Sequence, residues 1–245
     1  MALALELAVQ DAAGARVARE IGAARIELTQ ALALGGLTPS QATIEEAVAI
    51  ANNNGPEVHV LVRPRGGGFT YNPEEIDTVT RDIQLALAAG AHGVVIGAIT
   101  ATGTLDTDAL TRWKDAAGDA PVTVHRAIDL TRDKIAALAT IRELGFVRAL
   151  TSGGASYAID GLDTLRAMVA AADGIQIMAG GGITADNVAE IAASGVDAVH
   201  FSAKRTVTGT GNVRMGSAAD GVGGHEVTGL AAARAIVDAL AAAGI

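Results

Sequence analysis

Eight short β-like runs recur down the chain, each followed by an alanine-rich stretch with helical periodicity, and this repetition restricts the fold more than any other feature. The runs span residues 5–9, 25–29, 57–63, 93–97, 122–125, 147–151, 175–178 and 198–202. Over 245 residues they return about every 31 residues, the size of one βα unit. Eight such units predict a single TIM-like (β/α)8 barrel covering residues 1–245, in which strand one pairs with strand eight.

The residues between the runs agree. Thr38-Pro39-Ser40-Gln41 reads as a helix start with Thr38 as N-cap, proline at N1 and Gln41 at N3, and Asn72-Pro73-Glu74-Glu75 reads the same way. Gly22, Gly90, Gly145 and Gly195 each stand shortly before a strand, where a helix ends in the left-handed region. One long irregular stretch, 204–224, separates strand eight from a final helix expected over about residues 225–243.

Composition removes several function classes. The chain has no cysteine, which excludes disulfides, thiolate metal sites, iron–sulfur clusters and cysteine nucleophiles. Its 27 acidic residues exceed its 18 basic ones, and no Lys/Arg cluster is long enough to track a phosphate backbone, so nucleic acid is not an expected partner. The first residues lack a basic region, Glu6 interrupts their apolar run, and nothing approaches about 18 apolar residues in a row. The expectation is a cytoplasmic protein without a membrane partner.

Strand alternation sorts the side chains. If Leu5 and Leu7, Ile26 and Leu28, Val58 and Val60, Val122 and Val124, and Val199 and Phe201 face the helices, then Glu6, Glu27, His59, Arg63, His125, His200 and Ser202 face the barrel interior. Such an interior is costly unless its charges are paired. Two outcomes stay open: a structural network in which Glu6 and Glu27 neutralise Arg63 or Arg65, or a site at the C-terminal ends of the strands. In the second, Glu27, His125 and Asp129 are the candidate proton-moving residues, although Asp129 could equally cap a helix beginning near Thr131. Arg63 and Arg65, beside Gly66-Gly67-Gly68, suit a carboxylate or phosphate. Thr151 and Ser152 add hydroxyls at the same rim. Gly180, Gly181 and Gly182 after strand seven, with Ser202 after strand eight, resemble a phosphate-binding pair of loops. Glu6, His59 and His200 could hold a metal ion.

Gly35-Gly36-Leu37-Thr38-Pro39-Ser40, Arg63-Pro64-Arg65-Gly66-Gly67, His125-Arg126-Ala127 with Asp129, Leu150-Thr151-Ser152-Gly153, Met178-Ala179-Gly180, and His200 with Ser202 occur in the order and spacing of the CutC family, which the chain resembles over nearly its whole length. The resemblance implies a TIM-like barrel, a cytoplasmic homo-oligomer, a role in copper homeostasis and copper as the bound ion. Where many members carry cysteines at the ends of strands one and two, this chain has Ala8, Val9 and Thr29. Cu(I) prefers soft donors, and only Met178 offers sulfur nearby. Two functions therefore remain: a CutC-like protein holding a divalent ion through imidazole and carboxylate, or a TIM-barrel lyase or isomerase acting on a small phosphorylated or carboxylated substrate. The expected ligand is a small anion or a metal ion.

Overall fold

The computed structural model describes residues 3–52, 54–209 and 224–245. Strands β1 (Ala4–Val9), β2 (Arg25–Leu28), β3 (Glu57–Leu61), β4 (Gly93–Ile96), β5 (Val122–Val124), β6 (Arg148–Thr151), β7 (Gln176–Gly180) and β8 (Ala198–Phe201) form a closed barrel in sequence order. All neighbours are parallel, and β1 closes the ring against β8 with Leu5 opposite Val199. The interleaved helices are α1 (Ala12–Glu20), α2 (Gln41–Ala51), α3 (Pro73–Ala88), α4 (Thr107–Ala117), α5 (Lys134–Glu143), α6 (Leu162–Ala170), α7 (Val188–Ala192) and α8 (Leu230–Ala242). Among the described residues no helix is long and apolar enough to cross a membrane.

The main core lies between strands and helices. Leu7, Ile26, Leu28, Val58, Val60, Val94, Ile96 and Val124 are fully buried there against side chains such as Trp113 and Ile141. Each such burial stabilises the fold by roughly 1.5 to 3 kcal/mol. A second, small apolar layer, Leu150, Met178 and Ala198 with Ala4 against it, fills the inside of the barrel. The outward and inward parities are those that the alternation of the sequence predicts.

Two local expectations need correction. The N-cap of α2 is Ser40, whose hydroxyl accepts from Thr43 N; Thr38 instead ties strand ends together, accepting from Arg63 N at 3.0 Å and donating to Arg63 O at 3.1 Å. The stretch after β8 is not one loop. Lys204–Thr208 (β9) and Gly224–Thr228 (β10) pair as an antiparallel two-stranded sheet, and α8 begins only at Leu230. Thr206, Val207, Thr208, Val227 and Thr228 are β-branched, which favours strand over helix in both segments. Residues 210–223 of the expected loop lie outside the described residues. At α3 the Asn72/Glu75 capping box with Pro73 forms as the sequence predicts.

Candidate functional site

Two arginines lie near the N-terminal ends of the strands, inside the barrel. Arg25 donates from Nε to Oε2 of Glu6 at 2.9 Å, and its Nη2 reaches the sulfur of Met178 at 3.9 Å. Arg148 donates to Oε1 of Gln176 and to the hydroxyl of Thr123. Both are more than nine-tenths buried. On the same side His59 Nε2 lies 3.2 Å from Oε2 of Glu57, whose carboxyl is held low mainly by that hydrogen bond. Arg25 shares the parity of Glu27, so alternation carried to the first residue of the strand would have found it.

One level nearer the C-terminal face, Glu6, Glu27 and His200 meet. His200 Nδ1 is 2.9 Å from Oε1 of Glu6, and its Nε2 is 3.7 Å from Oε2 of Glu27. One ligand atom from each of the three lies within 4.8 Å of the others. Burial pushes the Glu6 carboxyl up, but the hydrogen bond and charge of His200, with the charge of Arg25, outweigh it and hold it at about 2. Glu27 has no such donor, and burial raises its carboxyl to about 7 despite the charge of His200. Burial opposes charge on His200 as well, yet Glu27 and Glu6 together raise its pKa. A carboxyl that changes charge near neutrality is suited to proton transfer, and the three groups together offer one nitrogen and two oxygen donors. Of the expected metal trio, Glu6 and His200 come together; His59 stays with Glu57, and Glu27 takes the third place.

The groups expected to move protons or hold anions divide sharply. His125 accepts the Ala127 N–H at 3.1 Å through Nδ1, which assigns the proton to Nε2. Burial, reinforced by the charge of Arg63, lowers its pKa to about 3. The ring is therefore neutral at pH 7 and presents a buried N–H without a partner among the described residues, a hydrogen-bond donor rather than a base. Phe69 packs on it with ring centroids 4.6 Å apart. Two residues of the β4 segment make room for the imidazoles: a Cβ on Gly93 would sit 2.8 Å from Cε1 of His59, and one on Gly97 2.5 Å from Cε1 of His125.

Arg63 and Arg65 pair with neither Glu6 nor Glu27. Arg63 donates to the carbonyls of Leu34, Gly36 and Gly67 and lies over Phe69, while Arg65 pairs with Glu75 and stacks near Tyr71. Their guanidiniums brace the glycine turn. Asp129 caps no α-helix, since Asp133 caps α5. Its carboxylate accepts from Thr151 Oγ1, from Ser152 N and Oγ, from Gly154 N and from Arg126 Nε. Thr151 and Ser152 thus serve Asp129, and Asp129 serves Arg126.

Arg126, which alternation could not single out because it follows the end of β5, opens onto a cavity of about 760 Å³. Gly181, Gly182, His200, Ser202 and Lys204 share its wall. Gly180 does not: it ends β7 facing inward, where a Cβ would lie 2.5 Å from Leu150 Cδ1.

A parallel eight-stranded barrel with a buried acid–imidazole cluster near its C-terminal mouth defines the class of protein. The model of the CutC family matches residues 3–205. A Histophilus somni relative named as a family protein CutC is 38% identical over 222 residues, covering 88% of this chain and 90% of the relative. The human copper homeostasis protein cutC homolog is 40% identical over 204 residues, covering 82% and 74%. The crystal structure of CutC from Streptococcus agalactiae superposes with a TM-score of 0.78 at 31% identity, covering 82% and 98%. This chain belongs to the CutC family. Thiamine phosphate pyrophosphorylase from Pyrococcus furiosus, at 16% identity and a TM-score of 0.62 with 98% and 96% of the chains covered, shares the fold.

Proposed function

We propose that this chain serves copper homeostasis by holding a divalent cation, Cu(II) in preference to Cu(I), between Glu6, Glu27 and His200. The observation that carries this is the convergence of three ligand atoms within 4.8 Å on one level of the barrel. The donor chemistry supports the choice of oxidation state. Imidazole and carboxylate suit Cu(II), whereas Cu(I) wants thiolate or thioether. The chain has no cysteine, and Met178 is fully buried with its sulfur against Arg25. Equilibrium dialysis of the whole chain against Cu(II), Zn(II) and, with a competing chelator, Cu(I) tests it. The expected result is one Cu(II) per chain, lost in His200→Ala and Glu27→Gln, and no Cu(I). Stoichiometric Cu(I) retention, or Cu(II) binding unaffected by both substitutions, would overturn it. We place the protein in the cytoplasm as a homo-oligomer; the exposed apolar side chains of Leu34, Leu130 and Tyr157 on loops after β2, β5 and β6 support self-association, which light scattering would measure.

A second function has an observation of its own. Glu27, with its pKa near 7, lies 3.7 Å from His200, which lines the cavity, and so suits the acid–base step of a lyase or isomerase. Incubating the protein in D2O with small phosphorylated or carboxylated carbonyl compounds should exchange a carbon-bound proton in the parent and not in Glu27→Gln. Equal exchange in both would remove Glu27 from that role.

A further inference from the structure

We infer that the cavity outside β7 and β8 binds a small organic phosphate, with Arg126 as the side chain that recognises it. This stands on the cavity alone, whether the neighbouring trio takes a cation or moves a proton.

Arg126 is held as a fork with one edge spent and one edge free. Nε donates to Asp129 Oδ2 at 2.8 Å, and Nη2 donates to Ser152 Oγ at 2.7 Å and Ala155 O at 3.0 Å. Nη1 donates to nothing among the described residues. It is the atom turned to the loop after β7, because a Cβ on Gly181 would sit 3.0 Å from it. Gly181 has φ near +110° and Gly182 near +70°, backbone that excludes most side chains, and the space so left is taken by Arg126 against Gly181 and by the Tyr157 ring, 2.5 Å from a Cβ on Gly182. Their N–H groups donate to no described residue.

Among the described residues, charge on the wall has one sign. Arg126 and Lys204 line the cavity, while their acidic partners Asp129 and Glu226 do not. In a chain of net charge −9 such a pair does not follow from general basicity. The wall takes its donor-bearing residues from three elements, Arg126 after β5, Gly181 and Gly182 after β7 and Lys204 in β9, which suits the three oxygens of a phosphate monoester better than the two of a carboxylate. The volume is that of a metabolite site rather than of a bare ion, and Leu32, Ile183, Phe201 and Ile236 supply an apolar wall for an organic body.

Calorimetry of the whole chain with glycerol 3-phosphate, ribose 5-phosphate, glycerate and inorganic phosphate tests this. At least one ester should bind more tightly than glycerate and inorganic phosphate, and Arg126→Met should weaken it by about tenfold or more. Since Arg126→Met also strips a partner from Asp129, Lys204→Met provides an independent second variant, and circular dichroism confirms the fold of both. Absence of saturable binding by both esters would overturn the proposal. So would unchanged ester affinity in both folded variants, or glycerate binding as tightly as the esters.

Discussion

Nε of Arg25 lies 2.9 Å from Oε2 of Glu6, and both side chains are sealed inside the barrel, Glu6 with no exposure at all. Neither charge could be buried there alone. Glu6→Gln should therefore cost about 3 to 5 kcal/mol, measured by urea denaturation at neutral pH, because Arg25 keeps its charge and loses its counter-charge. The native carboxyl titrates at about 2, below its ordinary 4.5, so its contribution is complete above pH 4.5 and fades as pH falls towards 2.

Glu27→Gln should do the opposite. The native carboxyl titrates at about 7 because burial penalises its charge. A carboxyl raised above its unfolded value costs nothing below pH 4.5 and destabilises progressively as pH rises from 4.5 to about 7. The variant should match the parent in acid and be more stable at pH 8 by at most about 3.5 kcal/mol, at roughly 1.4 kcal/mol per pKa unit. A parent that is more stable than the variant at pH 8 would show that Glu27 is a paired structural charge.

His125 should not titrate across the physiological range. With its pKa lowered to about 3, its nitrogen NMR shifts should stay those of a neutral ring protonated on Nε2 from pH 8 to pH 5. Because its native pKa lies below the ordinary 6.5, its effect on stability is a loss as pH falls from 6.5 towards 3. A midpoint near 6.5 would contradict the buried, Ala127-bonded geometry.

Asp129→Asn should unfold the protein more readily, by roughly 3 kcal/mol or more in chemical denaturation. The amide keeps one acceptor oxygen for Ser152 N and Gly154 N, but its NH2 then faces Arg126 Nε, itself a donor, and the charge that pairs Arg126 is lost. Stability equal to the parent would free Asp129 for a role beyond positioning.

Strand periodicity made Glu6, Glu27, His125 and His200 legible because each lies one residue from apolar neighbours of fixed parity. The barrel followed from the same repeat. What periodicity could not supply was partnership. Arg25 answers Glu6, while Arg63, which looked like the obvious counter-ion, is spent on three backbone carbonyls, Leu34 and Gly36 in the loop after β2 and Gly67 in the glycine turn. Arg126 and the paired strands β9 and β10 lie beyond the barrel strand ends, where side-chain direction is set by hydrogen bonds that no short-range pattern encodes.

The bare positions of the β4 segment show how a barrel can carry imidazoles in its middle. His59 and His125 occupy volume that Gly93 and Gly97 cede, so these rings and that strand are one steric unit. Any side chain on either glycine must evict a histidine or spread the staves of the barrel. In a saturation scan, therefore, two residues without a functional group should tolerate replacement as poorly as the groups they accommodate; revertants of Gly97 should arise at His125, whereas Gly93, whose Cβ would also lie 2.7 Å from Pro121 O, should not be rescued at His59 alone.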